Sequence, residues 1–166
     1  MARSKQSAGL LMFRRREGRP LEVLLAHPGG PLWARRDLGA WTIPKGEYTD
    51  EEPLVAAQRE FLEETGFSPA APFIGLSSVK QKSGKLVSAW AFEGDCDPSQ
   101  LRSNTFEMEW PRHSGRMQAF PEVERVEWFT IAEARERILP AQGPLLDRLL
   151  AWLDAADSGP KAPADR

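Results

Sequence analysis

A cluster of glutamates on one predicted helix is the feature that most constrains how this chain can fold. Glu60, Glu63 and Glu64 fall within the segment Arg59–Phe67, and Gly66 follows them closely. At about 100° per residue, the three side chains project from one helix face. Like charges at this spacing repel one another, and a hard divalent cation such as Mg²⁺, which prefers oxygen ligands, relieves the repulsion. A solvated helix face is the alternative interpretation, and the flanking residues bear on the choice.

The residues around this helix indicate a defined structural unit. Asp50 or Glu51 is expected to cap its first turn, with Pro53 tolerated just inside, and Gly66 stands where a left-handed C-cap belongs. Upstream, Trp41–Gly46 predicts a strand end that runs into a Pro/Gly loop. The opposite helix face carries an apolar stripe that predicts packing against a core, formed by Leu54, Ala57 and Phe61.

The segment from Gly46 to Phe67 resembles the signature of the Nudix hydrolases. Its matching residues are Gly46, Glu51, Arg59, Glu60, Phe61, Glu63, Glu64, Gly66 and Phe67. The chain has one residue fewer between Gly46 and Glu51 than the signature has. Assigning Glu52 instead restores the interval after Gly46 but makes the interval before Arg59 one residue too short. We prefer Glu51, because it keeps the helical part in register and leaves the deletion in a loop, where length changes are tolerated.

The resemblance implies both a fold and a metal site. The expected fold is an α/β (α+β) architecture, the Nudix α/β/α sandwich around a central mixed β-sheet. The expected cofactor is Mg²⁺, with Mn²⁺ as the alternative. By the resemblance, Glu60 and Glu64 are the principal metal ligands, Glu63 is a ligand or the catalytic base, and the carbonyl of Gly46 can reach a metal, although the shortened loop affects that last assignment.

Two further catalytic roles are implied in the same way. Arg59 is expected to pair with Glu51 or Glu63 and to orient the carboxylates. The family often supplies another carboxylate from a loop about six residues before a Trp that closes the sheet. Glu122 stands six residues before Trp128. We therefore nominate Glu122 as an extra ligand or general base. The acids that compete for this role are Glu107, Glu109 and Glu124.

The hydropathy pattern predicts one domain over residues 1–156 and a disordered tail over 157–166. The segment Asp95–Pro121 is expected to be long and irregular. The expected strands are Ala8–Phe13, Leu21–Ala26, Phe73–Gln81, Lys85–Glu93 and Val123–Phe129, and the expected C-terminal helices are Ile131–Leu139 and Pro144–Ala155.

Composition excludes several classes of protein. The net charge of −2 provides no global basic field for nucleic acid, and no apolar run approaches the roughly 20 residues that span a bilayer. The single cysteine, Cys96, cannot form an intramolecular disulfide, which fits a reducing cytoplasm. The sequence carries no signal for an oligomeric state.

The substrate is expected to be a small-molecule nucleotide, with Lys45, Arg35 and Trp110 as candidate contacts. Lys45 and Arg35 offer charge for phosphates. Trp110 offers a face for a base and is expected to be the most exposed tryptophan, because its loop is otherwise polar. Neither His27 nor His113 is expected to touch the substrate. A pyrophosphate linkage in a dinucleoside polyphosphate or a nucleoside triphosphate is the expected target. An RNA 5′ pyrophosphohydrolase and a non-catalytic Nudix ligand-sensing module are the alternatives.

Overall fold

The computed structural model describes residues 6–158, which form a mixed sheet between two helical layers and a separate hairpin. The elements in chain order are β1 (Gln6–Arg14), β2 (Glu22–Pro28), β3 (Lys45–Glu47), α1 (Pro53–Thr65), β4 (Ile74–Lys80), β5 (Leu86–Glu93), β6 (Thr105–Glu109), β7 (Met117–Pro121), β8 (Val123–Thr130), α2 (Ile131–Arg137) and α3 (Gly143–Ser158).

The main sheet has the strand order β4-β5-β1-β2-β8, and the short β3 pairs with β1. Strands β1 and β5 run parallel along their whole length, from Gln6 opposite Leu86 to Phe13 opposite Glu93. The other pairings, β1 with β2, β1 with β3, β2 with β8 and β4 with β5, are antiparallel. The parallel pair makes the sheet mixed, as predicted.

Both faces of the sheet are buried, because side chains of a strand alternate between its two faces. On β1, Leu10 and Met12 pack in one core with Phe61 of α1. The intervening Leu11 and Phe13 pack in a second core, together with apolar residues of α2 and α3. The helices therefore cover opposite faces, and the α/β/α sandwich is confirmed.

Helix α1 begins and ends largely as the sequence indicates. Its first residue is Pro53, and Gly66 adopts a left-handed conformation with φ 79° while its N–H donates to the carbonyl of Leu62. The expected capping by Asp50 or Glu51 is wrong: Glu52 occupies the N-cap position and makes no side-chain capping bond. Glu51 is engaged elsewhere, with Arg59.

The segment Asp95–Pro121, expected to be irregular, contains the hairpin β6–β7. Phe106 faces Phe120 across the two strands, and their ring centroids lie 6.0 Å apart. The carboxylate of Glu109 closes the turn by accepting hydrogen bonds from the backbone of His113 and Gly115. The apolar alternation is short on β6, where it consists of Phe106 and Met108, and on β7 it is interrupted because Phe120 directly follows Ala119. The local pattern therefore did not predict these strands.

The C-terminal helices are joined to the site region by Gln142, whose side chain is completely buried. Its Oε1 accepts a hydrogen bond from the backbone N–H of Ile43 at 3.0 Å, and its Nε2 donates to Thr42 Oγ1 at 2.8 Å and to Gln81 Oε1 at 3.1 Å. This one amide fixes the backbone just before β3 to both the C-terminal segment and the end of β4.

Helix α3 extends through Asp157 and Ser158, so the first two residues of the expected tail are helical. The rest of that tail, residues 159–166, lies outside the described residues. Among residues 6–158, no helix combines the length and the apolar character needed to span a bilayer.

Candidate active site

Helix α1 and the strand ends opposite it enclose a polar cavity of ≈ 420 Å³. The sheet contributes the N-terminal ends of β1 and β5 and the whole of β3, while the segments flanking the hairpin close the other side. The residues that line the cavity are Ser7, Lys45, Gly46, Glu47, Glu60, Glu64, Lys85, Asn104 and Glu122.

Glu60 lies with its carboxylate packed directly over Gly46. The residue is only 9 % exposed, and a Cβ built on Gly46 would overlap the carboxylate oxygens. Glycine is therefore required at position 46 for Glu60 to reach the cavity. Burial raises the pKa of Glu60, and the charge of Glu63 raises it further, although the neighbouring Arg59 opposes both effects.

Glu64, one turn further along α1, is the most perturbed acid of the cavity. Burial, followed by the charge of Glu60, raises its pKa to about 8. The backbone N–H of Lys45 donates to its Oε1 at 3.2 Å, which aims the carboxylate at β3. Burial also lowers the pKa of Lys45, and the adjacent charge of Lys85 acts in the same direction. The carboxyl group of Glu64 and the amino group of Lys45 are therefore both poorly hydrated.

Arg59 contacts three carboxylates beside the cavity, and the predicted pairing with Glu51 or Glu63 is found with both. Its Nε and Nη2 donate to Glu51, the latter at 2.6 Å to Oε1, and its Nη1 lies 3.2 Å from both Glu60 Oε1 and Glu63 Oε1. The hydrogen bonds with Glu51 are the main reason why the pKa of Arg59 is raised and that of Glu51 lowered. Glu52, in contrast, is exposed. The geometry therefore favours Glu51 as the signature residue.

Glu63 departs from the expectation that all three helical glutamates face the cavity. Its side chain is 42 % exposed and is held by Arg59, one turn earlier on the helix. It is not among the residues that line the cavity. The structure thus brings Glu60 and Glu64 together and leaves Glu63 at the rim.

Glu122 reaches the cavity from the link between β7 and β8. Its N–H donates to the carbonyl of Asn104, and its own carbonyl accepts from the N–H of Gly29, so its backbone is fixed on both sides. Burial raises its pKa, with Lys45 opposing. Its charge in turn raises the pKa of both Glu60 and Glu64. Three carboxylates from two separate elements therefore influence one another across this cavity.

The acids that competed with Glu122 are used elsewhere. Glu109 closes the hairpin turn, and Glu107 lies exposed on β6. Glu124 Oε1 lies 2.6 Å from Nδ1 of the buried His27, an ion-pair distance without hydrogen-bond alignment. His27 lies one residue beyond the expected strand Leu21–Ala26, but it belongs to β2 and is completely buried. Of these four acids, Glu122 is the one that lines the cavity.

The donor set of the cavity fits a hard divalent cation. Carboxylate oxygens of Glu60, Glu64 and Glu122 are the ligands that Mg²⁺ and Mn²⁺ prefer, and burial is the main cause of the raised pKa of each of these acids. Within residues 6–158, no three acid, histidine or cysteine side chains already converge as a complete ligand set. A cation would need water or substrate oxygens to complete its coordination, as Mg²⁺ usually does.

Not every predicted contact residue lies at the cavity. Arg35 is exposed in the loop after β2, and Trp110 is half-buried at the hairpin turn, where its carbonyl accepts a hydrogen bond from Gln118. His113 lies in the same turn, with φ 62°. Neither Arg35 nor Trp110 lines the cavity. The expectation that Trp110 would be the most exposed tryptophan is wrong, since Trp152 is 45 % exposed.

The sequence did not single out Ser7 or Asn104 as cavity residues, and it offered Lys85 only as one of several basic residues able to bind phosphates. Ser7 and Lys85 stand at the N-terminal ends of β1 and β5, which become neighbours only through the parallel pairing of those strands. Asn104 lies in the segment expected to be irregular. Lys85 begins the predicted strand Lys85–Glu93, but nothing local indicated that this strand would also pair with β1.

Comparison with known families identifies the class of protein. A family profile described as NUDIX domain matches residues 3–152, which is most of the chain. The chain belongs to the NUDIX family, as the sequence resemblance predicted. The family match, together with the intact helix signature, supports a Nudix-type pyrophosphohydrolase, an enzyme that hydrolyses pyrophosphate linkages.

Solved structures share the fold at low sequence identity. A crystal structure of a C. elegans Ap4A hydrolase binary complex matches with a TM-score of 0.63 and 22% identity, covering 90% of this chain and 98% of that one. The NUDIX domain of Shewanella oneidensis NrtR, complexed with ADP ribose, matches with a TM-score of 0.65 and 16% identity, covering 92% and 90%. The solution structure of the E. coli ORF135 protein gives a TM-score of 0.54 at 24% identity, covering 95% and 96%. No significant match to a curated protein was found.

Proposed function

We propose that this chain hydrolyses a pyrophosphate linkage in a nucleoside diphosphate linked to another moiety, in a reaction that depends on Mg²⁺ or Mn²⁺. A dinucleoside polyphosphate or a nucleoside triphosphate is the proposed substrate. The observation that carries the proposal is the meeting of Glu60, Glu64 and Glu122 in one cavity with Lys45. Such a site offers oxygen ligands to a cation and a positive charge to a phosphate.

Each residue of the cavity has a role that follows from its position. Glu60 and Glu64 are proposed to hold the cation, with the Gly46 carbonyl as a further oxygen donor. A divalent cation bound there supplies Lewis-acid polarisation of the phosphoryl group and neutralises charge on the leaving phosphate. Lys45 attracts the phosphate oxygens, and Glu122 accepts a proton from the attacking water, because its raised pKa makes it a better base than an exposed glutamate.

Arg59 and Glu63 act outside the cavity in this proposal. Arg59 holds Glu51 on one side and Glu63 on the other, which fixes the orientation of its own guanidinium against Glu60. Glu63 is therefore proposed mainly to position Arg59. Its contribution to metal binding is proposed to be smaller than those of Glu60 and Glu64. A nucleotide-type substrate is consistent with the Ap4A hydrolase and ADP ribose named for two structural neighbours.

The test is metal-dependent product release from a panel of substrates. The purified protein is incubated with nucleoside triphosphates, Ap4A, ADP-ribose and 5′-triphosphorylated RNA, with Mg²⁺, with Mn²⁺ and with chelator. We expect release from the small nucleotides that requires metal and is lost in Glu64→Gln but kept in Glu52→Gln, its matched control at the N-cap of the same helix. Preferential attack on the RNA would favour the RNA pyrophosphohydrolase. Metal-independent nucleotide binding without turnover would favour a ligand-sensing module.

A further inference from the structure

A second cleft, of ≈ 170 Å³, adjoins the catalytic cavity, and Glu122 lines both. One wall comes from the loop after β2, with Leu32 and Trp33, and the other from β6, with Phe106 and Met108. The two spaces differ in chemistry, since the cavity is lined by charged residues and the cleft by apolar ones. The carboxylate of Glu122 marks the boundary between them.

The apolar side chains of this cleft are not part of the protein core. Phe106, Met108 and Trp33 belong to neither of the two core clusters formed by the described residues, and Leu32 is 49 % exposed. The hairpin that carries Phe106 and Met108 forms its own two-stranded sheet, separate from the main one. Packing of the fold therefore does not account for these residues, and a partly open apolar surface of this kind is typical of a ligand site.

The two walls are fitted closely to each other. A Cβ added to Gly29 would overlap the carbonyl oxygen of Pro121, and one added to Gly30, whose φ is +93°, would lie 3.0 Å from the ring of Phe106. Larger residues at either position would push the loop away from the hairpin. The cleft is therefore preformed, because its width is set by contacts that already exist.

The loop that carries Trp33 is also anchored to strand β2 by His27. Nε2 of the buried His27 lies 2.5 Å from the carbonyl oxygen of Arg36, within hydrogen-bond distance. The guanidinium of Arg36 lies 5.4 Å from the centroid of the Trp33 ring, over one face. These contacts hold the indole in place, and Trp33 is half-buried and lines the cleft.

We propose that this cleft binds the base of a nucleotide whose phosphates lie in the catalytic cavity, with Trp33 and Phe106 as the aromatic contacts. This inference rests on the proposed function and specifies its substrate class. The cleft is smaller than the roughly 300–1,000 Å³ of pockets that enclose a whole ligand, so it accommodates one part of the substrate. Flat heteroaromatic rings are the groups that gain most from aromatic walls. Polyphosphates that lack a ring would fill only the cavity.

A kinetic comparison tests the proposal. Initial rates are measured for the four common nucleoside triphosphates and for inorganic tripolyphosphate, which has the anhydride linkages but no ring. The variants are Trp33→Leu and Phe106→Leu, which keep an apolar side chain but remove the aromatic face. In each variant we expect kcat/KM for the preferred nucleotide to fall by about 10-fold relative to kcat/KM for tripolyphosphate, which is the scale of one lost base–aromatic stack. The fall should come mainly from a higher KM for the nucleotide. Leu38→Ala, a 68 % exposed position in the same loop, is the control and should leave the ratio unchanged.

A binding measurement makes the result independent of turnover. Nucleoside monophosphates lack a pyrophosphate linkage, so their binding can be followed by tryptophan fluorescence or calorimetry against ribose 5-phosphate as the ring-free control. We expect the monophosphate of the preferred base to bind at least about 10-fold more tightly than ribose 5-phosphate, and Trp33→Leu to abolish that difference.

The two proposals can fail separately. If the wild-type protein hydrolyses neither nucleotides nor tripolyphosphate, the proposed function is wrong, and monophosphate binding alone decides the base site. If it hydrolyses both with equal kcat/KM, or if the leucine variants lower both equally, the base site is wrong and the pyrophosphohydrolase stands.

Discussion

Replacing Glu64 by glutamine should stabilise the metal-free protein at alkaline pH while removing its activity. The pKa of Glu64 rises from 4.5 to about 8 on folding, through burial and the charge of Glu60. An acid with a higher pKa in the folded state binds its proton more tightly there. Its contribution to stability is therefore fully present below pH 4.5 and is lost as the pH rises towards about 8.

The size of this loss can be estimated from the displacement of the pKa. At about 1.4 kcal/mol per unit, the shift sets an upper bound of about 5 kcal/mol. Water in the open cavity screens the charges, so we expect about 2 kcal/mol. For a domain of this size, about 2 kcal/mol corresponds to a melting temperature about 4–8 °C higher for Glu64→Gln than for the wild type. This difference applies at pH values above the pKa of about 8. At about pH 5 the two melting temperatures should be nearly equal, because only the first part of the loss has occurred there.

The assay is thermal or urea unfolding in chelator at about pH 5 and about pH 9, followed by addition of Mg²⁺. Saturating Mg²⁺, at about 100 times its Kd, should raise the stability of the wild type by about 2.7 kcal/mol and that of the variant much less. Glu52→Gln is the matched control, because Glu52 is exposed at the N-cap of the same helix and makes no side-chain capping bond. Equal pH slopes for wild type and Glu64→Gln would refute the reasoning about the cavity, and wild-type turnover in saturating Mg²⁺ would refute Glu64 as a ligand.

Three further predictions concern other residues of the site. Glu51→Gln should lower kcat/KM, because it removes the carboxylate that holds Arg59, whereas Glu52→Gln should leave kcat/KM nearly unchanged. A larger loss of kcat/KM in Glu52→Gln than in Glu51→Gln would contradict the register of the signature. Glu122→Gln should lower kcat by on the order of 10²-fold with little change in KM, as expected for a lost general base, and an unchanged kcat would place the base elsewhere. Gly46→Ala should displace the Glu60 carboxylate, costing about 1–3 kcal/mol of stability and weakening Mg²⁺ binding, measured by unfolding and by metal titration; a variant with wild-type metal affinity would contradict the close packing.

The local part of the site could be predicted from the sequence. Glu60 and Glu64 share a helix face because of helical geometry alone, and Gly66 ends the helix where its left-handed conformation is needed. The hairpin β4–β5 and the strands around it were equally accessible, since they depend on alternation and on turn residues close in sequence. These features need no information from distant parts of the chain.

The parts that escaped prediction depend on long-range packing. Lys85 and Ser7 meet at the cavity only because β1 and β5 pair in parallel, and no local pattern specifies that partner. The orientation of Glu63 depends on its capture by Arg59 in preference to the cavity. Trp110 was expected to be exposed because its neighbours are polar, but the hairpin turn in which it lies buries part of its ring.

The amide of Gln142 has a consequence for how the enzyme is made. It bonds to Thr42 and Ile43 from about a hundred positions further along the chain, and those residues lead directly into Lys45 and Gly46. A contact between such distant positions forms late, since the entropy of closing the intervening loop must first be overcome. A growing chain on the ribosome can therefore complete helix α1, with its full set of glutamates, long before the backbone opposite them is held in place. The newly made protein should acquire its activity only when the last two helices have emerged and docked, so that an unfinished chain would not attack the nucleotides around it.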